Sequence, residues 1–94
     1  MAITYEKLLQ AARDNQNRLL QTNAGRATFP LHVVGREIFA TPTSSGKTRP
    51  LTQGIDDVID YFNKTQSFTS TDYQDITYNV AYVLRLIKLA QMQS

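Results

Sequence analysis

The spacing of apolar residues changes twice along this 94-residue chain, and those two changes restrict its fold more than any other feature. Ahead of residue 23, Tyr5, Leu8, Leu9, Ala12, Leu19 and Leu20 recur at helical intervals, with a polar interruption at 14–17. This predicts one amphipathic helix over residues 4–22, with Thr4 as its N-cap and Gly25 closing it in a left-handed conformation. From Thr28 the period becomes two, because Phe29, Leu31 and Val33 alternate with Thr28, Pro30 and His32 as in a half-buried strand. Gly35-Arg36 suits a type II′ hairpin turn, after which residues 37–41 and 47–51 read as second and third strands. Proline has no N–H for a ladder and belongs at sheet edges or strand ends. Pro30 and Pro50 fall in the two outer strands and Pro42 at the end of the middle one, so a meander is allowed.

From Ile55 the helical interval returns. Ile55, Val58, Ile59 and Phe62 sit at i, i+3, i+4 and i+7, with Asp56, Asp57, Asp60 and Lys64 outside that stripe. Thr71 and Gln74 have capping-box spacing and predict a last helix over residues 72–92, about 30 Å long. Ile76, Val80, Val83, Ile87 and Ala90 mark one face of it, while Tyr73, Tyr78, Tyr82, Leu84, Leu86 and Leu89 spread apolar area well beyond. A helix this apolar is either central to the fold or shared with a second subunit. One small sheet and two shorter helices leave it short of cover, which predicts a homodimer with Tyr78, Tyr82, Val83 and Leu86 in its interface. The expected fold is a single α+β domain over residues 1–94: an N-terminal helix, a three-stranded antiparallel β-meander and two C-terminal helices packed on one face of the sheet.

Several function classes fall away on composition. The chain has no cysteine, which removes disulfide scaffolds, thiol catalysis and cysteine-based zinc sites. No apolar run approaches the about 20 residues of a membrane span, and the first residues lack the pattern of a signal peptide, so the expected location is cytoplasmic with no membrane contact. His32 is the single histidine, and Asp56 with Asp60 lacks a third ligand, so no metal is expected. No base can be placed beside Ser44, Ser45 or Thr48, and no catalytic residue or enzyme activity is expected.

Residues 41–48, TPTSSGKT, end like a Walker A loop but carry Thr41 where that motif has its first glycine. Arg49-Pro50 follows at once and leaves no helix to open on a phosphate, so a sheet connection is expected and no nucleotide cofactor. Charge is unevenly placed: residues 1–54 hold seven basic and three acidic side chains, whereas residues 55–94 hold three basic and five acidic. Arg26, Arg36, Lys47 and Arg49 are therefore the candidate anion contacts. The expected function is a small non-enzymatic binding module, dimeric, that contacts nucleic acid or another anionic partner through a basic β-hairpin region. The alternative is a protein-interaction or assembly module that uses the long apolar C-terminal helix, with no nucleic-acid role.

Overall fold

A computed structural model of the chain describes residues 2–23, 25, 27–73, 75–76 and 79–93. Helix α1 (Tyr5–Asp14) begins where the cap predicts, with Thr4 extended and its hydroxyl accepting a hydrogen bond from the Lys7 N–H at 3.3 Å. It ends at Asp14 instead of continuing to residue 22. Asn15 turns back on the last turn, its side-chain amide donating to the Ala11 carbonyl at 2.8 Å, and Asn17 takes a φ of 64°, a left-handed conformation that asparagine tolerates better than most residues. The chain then forms β1 (Leu20–Gln21), antiparallel to β2 (Thr28–Phe29). Leu19 is 63% exposed and Leu20 is buried, the alternation of a strand in a stretch whose spacing had suggested a helix. Gly25 does adopt a positive φ, but in the loop between β1 and β2.

Pro30 divides the predicted first strand, so β2 pairs backwards with β1 while β3 (Leu31–Val34) pairs forwards with β4 (Glu37–Ala40). Val34 faces Glu37 across a two-residue turn in which Gly35 has φ 62° and Arg36 does not have a positive φ, as type II′ geometry requires. With β5 (Arg49–Pro50) the strand order is β3-β4-β5, the predicted meander. Its prolines sit just before an outer strand, within the other outer strand, and just after the middle one. The outer edge of β3 is covered by the polar interruption that follows α1: the Asn17 N–H donates to the Leu31 carbonyl, and the Val33 N–H donates to Gln16 Oε1, both at 2.9 Å.

Helix α2 (Ile55–Thr65) buries Ile55, Val58, Ile59 and Phe62, the stripe its spacing predicts. Asn63 on its outer side clasps the N-terminal segment, accepting from the Ile3 N–H at 2.8 Å and donating to the Ile3 carbonyl at 2.9 Å. The last helix, α3 (Val80–Gln93), is shorter than expected, about 21 Å at the usual rise per residue. Ahead of it Ser70–Tyr73 forms a 3-10 turn. Ser67 Oγ bonds Asp72 Oδ2 at 2.6 Å and accepts from the Thr69 N–H at 3.1 Å, local bonds that compete with an α-helix over this stretch. Gln74, the second half of the predicted capping box, lies outside the described residues.

Seven residues of α3 are buried: Val80, Val83, Leu84, Leu86, Ile87, Leu89 and Ala90. They meet α1 chiefly, with α2 and the 3-10 turn beside them, so the helix is central to the chain's own core. All three helices belong to the layer that covers the sheet, and Phe29, Leu31, Ile38, Ala40 and Leu51 enter the same core from the strands and their ends.

Candidate functional site

The fold separates the basic residues that the sequence groups together. Arg36 stands at the β3–β4 turn, where its guanidinium pairs with Glu6 and lies over the Tyr5 ring at 5.9 Å. The Tyr5 hydroxyl donates to the Arg36 carbonyl, and Arg13 donates to the Gly35 carbonyl at 3.2 Å. These contacts tie the hairpin tip to α1 and give Arg36 a counter-ion. Glu6 responds to its partner: the hydrogen bonds from Arg36 hold its carboxyl below the usual glutamate value, and the same pair raises Arg36. Arg26 lies outside the described residues.

Lys47 and Arg49 lie at the other end of the sheet, in the connection from β4 to β5. Thr41 and Thr48 bond hydroxyl to hydroxyl at 2.9 Å across the base of that connection, and the Gly46 N–H donates to the Pro42 carbonyl at 2.8 Å. Thr43 reaches Thr28 through its backbone N–H at 3.0 Å and its hydroxyl at 2.6 Å. The Walker-like residues are thus a pinned sheet connection. The Thr48 hydroxyl is engaged with Thr41, and the residues that follow form β5 where a phosphate loop would need a helix. Lys47 is exposed and has no acidic partner among the described residues.

Arg49 opens onto a cleft of about 550 Å³. One wall is the β1–β2 loop, with Thr22, Asn23 and Ala27; a second is Phe68, Thr69, Ser70 and Thr71 around the 3-10 turn; a third is Ala81, Tyr82 and Leu84 in the first turns of α3. The walls are braced from behind. Tyr82 stands edge-on to Phe29 at 4.8 Å, Phe68 edge-on to Phe62 at 5.0 Å, and the Asn79 amide donates to the Pro50 carbonyl at 3.2 Å, tying β5 to the entry of α3. Among the described residues, Arg49 is the sole charged one in the lining.

No protein family, curated protein or solved structure matches this chain. What the cleft can do follows from its own groups. Its polar side chains, Thr22, Asn23, Arg49, Thr69, Ser70, Thr71 and Tyr82, make no side-chain hydrogen bond to another described residue, whereas hydroxyls just outside it are paired, as in Thr28 with Thr43, Thr41 with Thr48, and Ser67 with Asp72. The cleft therefore offers a guanidinium, five hydroxyls and an amide to whatever enters it.

The remaining candidates are placed as follows. Val83 and Leu86 are fully buried inside the chain, Tyr82 is half-buried against Phe29, and Tyr78 lies outside the described residues. His32 is half-buried in β3, Asp56 and Asp60 are exposed on α2, and no three His, Asp or Glu side chains gather at metal-binding distance among the described residues. The cleft residues other than Arg49 and Tyr82 were missed in the sequence. Apart from Ala81 and Leu84 in α3, they sit in loops and turns with no period, and the only signal was the density of hydroxyl residues over 65–71.

Proposed function

We propose that the chain is a small non-enzymatic binding module that holds an anionic partner at the β5 end of its sheet, with Arg49 as the charged anchor and Lys47 as a second, solvent-facing contact. One contrast carries this reading: Arg36 is neutralised by Glu6 at the far hairpin tip, while Arg49 faces a cleft with no counter-ion among the described residues. A guanidinium without an internal carboxylate is free to form charge-assisted hydrogen bonds with phosphate or carboxylate oxygens. Nucleic acid is the polyanion to test first, since a single strand could lay one phosphate at Arg49 and the next near Lys47.

The experiment is fluorescence anisotropy with single- and double-stranded oligonucleotides at low salt. Each cation that meets a phosphate adds about one to the slope of log affinity against log salt, so the Lys47→Ala/Arg49→Ala double variant should lose roughly two from that slope. Arg36→Ala should leave affinity unchanged. Undetectable binding at low salt, or an unchanged slope in the double variant, would refute the nucleic-acid form of the proposal. The assembly reading gains no comparable support: of the residues it relied on, Val83 and Leu86 are covered within one chain, Tyr82 is half-buried against Phe29, and Tyr78 lies outside the described residues.

A further inference from the structure

We infer that the cleft is a binding site for a small organic phosphate monoester, whose phosphate meets Arg49 and the hydroxyls of the 3-10 turn and whose apolar or planar body meets Phe68, Tyr82 and Leu84. This deepens the preceding proposal by naming the ligand class of the Arg49 end, and it rests on the same free guanidinium. Three observations lead to it.

Size comes first. A volume of about 550 Å³ lies within the roughly 300–1,000 Å³ of small-molecule pockets and is far below what a nucleic-acid duplex occupies. The second observation is the ratio of charge to hydroxyl. A carboxylate is satisfied by one guanidinium fork, whereas a tetrahedral phosphate presents more acceptor oxygens than one arginine can fill. Thr69, Ser70 and Thr71 in succession, with Thr22 in the same lining, supply the additional neutral donors, and the carboxylate that follows them, Asp72, is outside the described lining and accepts from the Ser67 hydroxyl. Thr22 is only 8% exposed, so its unpaired hydroxyl is a donor within the wall and not a loose surface group.

The third observation is preorganisation. Both aromatic rings of the cleft are fixed by edge-on contacts with core phenylalanines, and β5 is fastened to the start of α3 through Asn79. A site whose walls are already held loses less conformational entropy on binding. Phosphate recognition at one end and ring contact at the other describe a monoester such as a nucleoside monophosphate or an aryl phosphate.

The test is a titration followed by amide chemical shifts and calorimetry, using AMP and phenyl phosphate, with adenosine, benzoate and inorganic phosphate as controls. Either ester should shift amides of residues 22–23, 69–71 and 81–84, and should bind more tightly than all three controls. Arg49→Ala should weaken ester binding about tenfold or more, the loss expected for a charge-assisted hydrogen bond. Ala81→Trp should fill the cleft and abolish ester binding while oligonucleotide binding through Lys47 persists; Ala81→Leu serves if the larger side chain prevents folding. Lys47→Ala should lower the oligonucleotide salt slope by about one and leave ester binding unchanged. Shifts outside the cleft, equal affinity for AMP and adenosine, equal affinity for ester and inorganic phosphate, or no effect of filling the cleft would each overturn the inference. Loss of oligonucleotide binding alone would sink only the polyanion proposal.

Discussion

Glu6 holds its proton more weakly than an ordinary glutamate because Arg36 donates hydrogen bonds to its carboxylate. A carboxyl whose folded value is lowered adds stability above its unfolded value, near 4.5, and that contribution disappears as pH falls through the lower folded value. The melting temperature of Glu6→Gln should therefore lie below that of the wild type near neutrality and converge with it in acid. A scan between about pH 2 and pH 7 at low salt checks this, and a constant difference across the scan would contradict it. Both side chains are exposed, so the effect will be small and salt-sensitive. Tyr73 is a different case: it is fully buried, and its hydroxyl donates to the Ser67 carbonyl at 2.6 Å. Tyr73→Phe keeps the ring against Tyr61 and leaves that carbonyl without its donor, at a cost of about 1 kcal/mol in denaturant unfolding. Burial also raises the Tyr73 phenol above its ordinary 10.0, so the stability lost as pH rises past that value in wild type should be reduced in the variant.

At the level of elements, the segment between α1 and β2 is where sequence and structure part. Leu19 and Leu20 fit a continuing helix by spacing, yet one is exposed and the other buried as in a strand. Leu20→Ala should cost about 2–5 kcal/mol, as buried leucine truncations do, and Leu19→Ala within about 0.5 kcal/mol. Comparable losses at both positions would restore the helix. Helix α2 and the β3–β4 hairpin were legible because each carries its own full signal, a four-residue apolar stripe in one and a glycine at a two-residue turn in the other. The two-residue strands β1 and β2 were not legible, since a period cannot be read from two residues. The start of α3 was misplaced because residues 72–79 are apolar enough to continue its pattern, while the competing Ser67 and Asp72 bonds have no periodic trace. Arg49 could be singled out by charge alone. The cleft around it could not, because a loop, a 3-10 turn and a helix contribute its hydroxyls and only tertiary packing joins them.

For the whole molecule, the reason to expect a homodimer was the apolar breadth of α3, and among the described residues Val80, Val83, Leu84, Leu86, Ile87, Leu89 and Ala90 are covered within the chain itself. Among the described residues the large exposed apolar side chains are Leu19, Val34, Phe68 and Met92, on four different elements or loops. We therefore expect light scattering to give the mass of one copy, 10.6 kDa, at micromolar concentration. Val83→Asp, at a position with 0% exposure, should abolish cooperative unfolding without any intermediate change in mass. A dimer that this variant dissociates into folded monomers would overturn this expectation. The packing of α1 chiefly on α3 has a further consequence for the order of events in the cell. Of the three helices, α1 is translated before α3, on which it chiefly packs, and Ile3 is translated 60 residues before its partner Asn63. The core that joins α1 to α3 therefore closes only once α3 has been synthesised.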